Sequence, residues 1–160
     1  MKSKLKLAAL VVFLSQETGF AKVSEVFNYG QLSARLAAGK QLRVITDLSA
    51  CESQSADGSV TPGPEVLGGI DINAFNKYVK TNEDGSRSET IAFSQALLIE
   101  HPQHGNAYSY VRWRFFPNGS VEFTSKWVDP VHFVDLEEKQ FRCKFGVGKV
   151  KGAISVYVSM

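Results

Sequence analysis

The chain has 160 residues, of which 44% are apolar, enough to bury a core of ordinary domain size. Its 18 Lys+Arg against 16 Asp+Glu leave a net charge of +2, too little to support nucleic-acid or anionic-membrane binding through bulk charge. The two cysteines, Cys51 and Cys143, lack the CxxC pairing of a structural zinc site.

Residues 1–21 read as an export leader. Lys2, Lys4 and Lys6 give a basic start, Leu7 to Leu14 are apolar without interruption, and Gly19 and Ala21 supply small residues before a cut. The apolar run is far short of the ~20 residues that span a bilayer. No cysteine lies near the cut, so neither a membrane anchor nor a lipid anchor is expected after cleavage. The leader carries three of the basic residues and one of the acidic ones, so residues 22–160 are charge-balanced. They are expected to form a single domain, periplasmic or secreted and monomeric. In an oxidising compartment the two cysteines are expected to pair, Cys51 with Cys143.

Asn28-Tyr29-Gly30-Gln31 has the spacing of a capping box, flanked by Phe27 and Leu32 as a hydrophobic staple. Gly39 supplies a left-handed stop, which predicts a short helix over about 28–38. Residues 41–48 alternate and are rich in β-branched types, the pattern of a strand. Ser49 to Pro64 is polar and reads as a long loop with Cys51 at its base. Gly68-Gly69 open a strand that runs to about Val79, and residues 81–86 form a turn. Residues 88–100 carry a strand or a pair, and residues 101–106 are turn chemistry. The clearest element is a hairpin. Val111, Trp113 and Phe115 alternate with Tyr110, Arg112 and Arg114, then Pro117-Asn118-Gly119-Ser120 turns the chain into a return strand from Val121 to Val128. Residues 131–135, 139–145 and 153–159 supply further strands.

One short helix followed by seven or eight short strands predicts a mainly β fold. The expected form is an antiparallel meander closed into a small barrel or folded as a sandwich, because an open meander leaves two bare edges.

Gly39 to Cys51 (GKQLRVITDLSAC), Thr61-Pro62-Gly63-Pro64, Gly68-Gly69-Ile70 and the run from Arg112 to Phe123 resemble the VirK family of small exported bacterial proteins. The resemblance covers most of the chain after the leader, to about residue 128. It implies a virulence-associated protein of undefined biochemical role and brings no catalytic residue with it.

The residues themselves assemble little chemistry. His101, His104 and His132 are the only histidines, and a loop His-x-x-His needs a third ligand to make a catalytic zinc site, so no metal and no cofactor are expected. There is no Gly-x-Ser-x-Gly elbow, and Gly146-Val147-Gly148-Lys149 departs from a phosphate loop at Cys143 and Val150. Lys139, Arg142, Lys144, Lys149 and Lys151 follow the acidic Asp135, Glu137 and Glu138 and read as a solvated face. Tyr108, Tyr110, Trp113 and Trp127 are candidates to line a ligand cavity; the competing reading is that such aromatics fill the core. The chain is therefore expected to act without catalysis, by binding an as yet unspecified protein or surface partner, with a small-ligand carrier as the alternative and a hydrolase behind it.

Overall fold

The structure, a computed structural model, describes residues 24–55, 57–146 and 153–158. The leader, Lys149, Lys151 and the phosphate-loop-like segment from Val147 lie outside the described residues. The elements run β1 (Ser24–Val26), α1 (Tyr29–Ala37), β2 (Leu42–Asp47), β3 (Glu52–Gln54), β4 (Val60–Pro62), β5 (Leu67–Ile72), β6 (Asn76–Thr81), β7 (Arg87–His101), β8 (Gly105–Phe115), β9 (Ser120–Val128), β10 (Asp135–Lys144) and β11 (Ile154–Val158).

Helix α1 forms where the sequence places it. The Asn28 side chain accepts from the Gln31 amide at 2.9 Å, and Gly39 ends the helix at φ 68°. The Gln31 carboxamide reaches one residue further back than a capping box requires, accepting from Phe27 N–H at 2.9 Å. Leu32 and Leu36 are buried against the sheets, which is why this short helix holds.

The strands form two sheets, ordered β1-β11-β2-β5 and β4-β3-β10-β9-β8-β7-β6, with every strand pair antiparallel. Among the described residues each sheet keeps two free edges, so the fold is a sandwich and no barrel closes. The edges are blunted differently: β1 and β4 are three residues long, β4 ends on Pro62, and β6 is a polar exposed strand.

The smaller sheet turns Leu42, Val44, Ile154 and Val156 inward. They meet Ile91, Phe93, Trp113, Phe115, Val121, Phe123 and Phe141 of the larger sheet in one apolar core. The rings pack closely, with Phe93–Trp113 centroids 5.3 Å apart and Trp113–Phe123 5.0 Å apart.

Three expectations are corrected. The segment 49–64 is not a structureless loop: it contains the small hairpin β3–β4 laid along the edge of β10. The strand expected from Gly68 to Val79 divides at Asn73–Phe75, because β5 pairs with β2 in one sheet and β6 with β7 in the other. Residues 131–134, expected in a strand, form a loop that leads into β10. Residues 88–100 resolve as one long strand, β7.

The hairpin expected after β8 is present. Only Gly119 takes a positive φ, with Phe116 N–H bonded to Ser120 O and Gly119 N–H to Phe116 O. This is a type I turn closed by a glycine bulge rather than an Asn-Gly turn with two left-handed residues. The same bonding recurs at Ser55–Ser59 and Asn82–Ser86. In each, Asp57, Asp84 or Asn118 accepts from the serine amide two residues on. The shared triplets Asp-Gly-Ser, Asp-Gly-Ser and Asn-Gly-Ser thus specify three hairpins by one device.

Gly63 carries the tightest constraint on the β3–β4 hairpin. A Cβ there would lie 2.0 Å from the Leu48 carbonyl oxygen, and the Gly63 amide donates to Cys51 O at 2.9 Å. Backbone cannot swing aside as a side chain can. Gly63→Ala is expected to cost about 2–3 kcal/mol, read from the urea midpoint of the purified protein.

Candidate functional site

The two sheets part at one end. A cleft of about 280 Å³ opens there, between Thr46, Leu48, Val66, Gly68 and Ile70 on one wall and β7, β8 and β9 on the other. Register explains its chemistry. Along the inner face of the larger sheet, Phe93, Trp113 and Phe123 stand in one row, and Gln95, Val111 and Ser125 in the next. Leu97, Ser109 and Trp127 follow. The core row is aromatic; the cleft rows mix apolar and small polar side chains.

At the floor of the cleft the buried Trp113 indole N–H donates to Thr46 Oγ1 at 3.0 Å, which satisfies both groups. Gln95 Oε1 is buried in the wall with no hydrogen-bond partner. Opposite Thr46 stands Gly68, where a Cβ would meet nothing within 4 Å. Its neighbour Gly69 has the opposite constraint, since a Cβ there would sit 2.6 Å from Ile45 Cδ1.

Of the aromatic candidates, Trp113 and Trp127 line the cleft. Tyr108 and Tyr110 stand on the opposite face of β8, as their even positions dictate. His101 and His104 stack with ring centroids 4.7 Å apart, and His101 meets the Trp127 edge at 4.5 Å. Glu137 lies near this pair. Its bond to Lys139, and then the field of His101 and His104, hold its carboxyl below the ordinary value. His132 is held elsewhere, with Nδ1 3.4 Å from Asp129 Oδ1. Among the described residues no three His, Cys, Asp or Glu side chains gather to hold a metal ion. Cys51 and Cys143 are joined, with sulfurs 2.04 Å apart.

A second surface lies at the same end, on the outer face of the larger sheet. Leu98 pairs with Tyr108, Tyr108 with Val128, and the Phe133 ring stacks on Tyr108 at 6.5 Å. Val131 and Phe133 are 73% and 71% exposed on the loop between β9 and β10. This loop is built, not slack. Asp129 Oδ1 accepts from the Val131 and His132 amides at 2.7 Å each, and these backbone bonds lower the Asp129 pKa. Phe133 N–H bonds Asp129 O, and Phe133 sits at φ 55°, the only non-glycine described with positive φ. Beside it Lys126 bridges Asp135 at 2.8 Å and Glu138 at 2.6 Å; these partners raise the Lys126 pKa.

Gln95, Gly68 and the 129–134 loop are absent from the sequence-based candidates. Asp129-Pro130 was the available sign of the loop, since an Asp before proline initiates turns. Nothing in the sequence marks Gln95, because its importance lies in a missing partner.

The fold defines the chain as a two-sheet antiparallel sandwich, open at one end onto an apolar cleft. Its sequence places it more closely: the VirK protein family matches residues 25–133, and the chain belongs to that family. A similar solved structure is that of lpg1832, a VirK family protein from Legionella pneumophila. It is 16% identical with a TM-score of 0.62, over 82% of this chain and 97% of that one. At that identity the likeness concerns the fold. No curated protein matches the sequence.

Proposed function

We propose that this is an exported, virulence-associated binding protein that acts without catalysis and engages a protein partner through the apolar outer face formed by Leu98, Tyr108, Val131, Phe133 and Val134. The observation that carries this reading is Phe133. An L residue at φ 55° costs about 1–2 kcal/mol, and here the cost holds an aromatic ring out in water. Core packing gives no reason for that arrangement. Exposed apolar side chains gathered beside Tyr108 have the composition of an interface centre. Export is supported by the leader pattern and by the paired cysteines.

One substitution at Phe133 and a crosslinking residue at Val131 separate strain from recognition. Phe133→Gly relieves the backbone and is expected to raise stability by up to about 1 kcal/mol in urea denaturation. A photo-crosslinking residue placed at Val131 in otherwise unaltered protein is expected to give a discrete adduct in the producing bacterium or its host, and the same residue at Lys40 on the helix side is not. In a Phe133→Gly background the adduct is expected to vanish. Equal labelling from positions 131 and 40 defeats the reading.

A further inference from the structure

We propose that the cleft between the sheets is a binding site for a small uncharged molecule of about ten to twelve non-hydrogen atoms, mostly apolar, with one hydrogen-bond donor for Gln95. This site is separate from the outer-face patch and lies on the other side of the larger sheet.

Size comes first. An engineered cavity of about 150 Å³ takes up one benzene, and this cleft measures about 280 Å³. Two fused rings, or a chain of similar bulk, match it. Charge comes next. None of the described residues lining the cleft is ionisable at neutral pH. A charged ligand would lose its hydration there and find no counter-charge. The walls instead offer Leu48, Ile70, Val111 and the two indoles, which reward apolar area.

Polarity then sets the ligand's one required group. Gln95 lines the cleft with its Oε1 buried and unbonded, so a ligand donor reaches that oxygen by a turn of the carboxamide, while the Trp113 and Thr46 polar atoms nearby satisfy each other. A buried amide oxygen without a donor is costly, and a bound hydroxyl or amide N–H removes that cost. Ser109 and Ser125 stand beside it on the same wall. Gly68 supplies the room. It faces the cleft opposite Thr46 in an ordinary strand conformation, and a side chain there would project into empty space. The cleft therefore exists partly because position 68 has no side chain.

The experiment uses the chain after the leader, oxidised, titrated with three probes of one shape: 2-naphthol, naphthalene and 2-naphthoate. Binding is followed by the NMR shifts of the Trp113 and Trp127 indoles. 2-Naphthol is expected to saturate both, naphthalene to bind about tenfold more weakly for want of the donor, and 2-naphthoate to bind least. Gly68→Leu fills the cleft and is expected to weaken 2-naphthol at least tenfold without lowering the unfolding midpoint. Gln95→Leu is expected to erase the preference for 2-naphthol over naphthalene. Phe133→Gly is expected to leave all three unchanged, which separates this site from the partner surface. Absence of saturable shifts with 2-naphthol, tightest binding by 2-naphthoate, or unaltered binding in Gly68→Leu overturns the proposal. Should Gly68→Leu not fold, the probe ranking and Gln95→Leu still decide.

Discussion

Replacing both Cys51 and Cys143 with alanine is expected to lower the unfolding free energy by about 4 kcal/mol. The bond spans 92 positions, so in the unfolded chain it closes one of the longest loops this domain allows. Its position adds a structural reason. β2 belongs to the smaller sheet and runs through the turn Leu48–Ala50 directly into Cys51; β3, in the larger sheet, starts at the next residue. Cys143 lies on β10, the strand that β3 joins. The disulfide thus fixes the crossing between the two sheets. Both cysteines are almost fully buried, so alanine is a gentler probe than serine, which would bury a hydroxyl. Domains of this size hold about 5–15 kcal/mol in total, so the loss removes between about a quarter and most of the stability. Urea denaturation of the variant, and of the wild type with and without reductant, checks the value. The reduced wild type should fall with the variant. A loss below about 1 kcal/mol would mean that Gly63 and Leu48 hold the crossing without the bond.

Residues whose meaning is local were legible in the sequence. Asn28, Gly39 and the period of Val111, Trp113 and Phe115 announced their elements, because capping and strand alternation act within a few residues. Assignment of strands to sheets was not legible. Nothing local in Asn73-Ala74-Phe75 says that the chain leaves one sheet for the other there; partner strands far along the chain decide it. The 49–64 segment failed for a related reason. Apart from Val60 and Thr61 its residues are poor strand formers; β3 finds an edge on β10 beside the disulfide, and β4 then pairs with β3. The candidate site divides along the same line. Alternation separates Tyr110 from Trp113, so their opposite faces could be read from the sequence. The opening between the sheets could not, since it depends on Gly68 of one sheet standing across from Gln95 and Ser109 of the other.

Trp113 tests where core ends and cleft begins. It lines the cleft floor, yet it is 3% exposed and packs on Phe93 and Phe123. Trp113→Ala is expected to cost about 4 kcal/mol, since the ring is removed from a close-packed cluster and the Thr46 hydroxyl loses its donor. Trp113→Phe keeps most of the apolar contact and should cost about 1–2 kcal/mol, chiefly through that lost bond. Adding Thr46→Val to Trp113→Phe removes the stranded hydroxyl, so the double variant should recover part of the loss. Chemical denaturation of the wild type, Trp113→Phe, Thr46→Val and the double variant measures the coupling directly. Additive losses would mean that the indole–hydroxyl bond contributes nothing and that Trp113 acts by volume alone. A Trp113→Ala cost near 1 kcal/mol would instead make this ring part of an open wall, and the cleft would then extend in among Phe93 and Phe123.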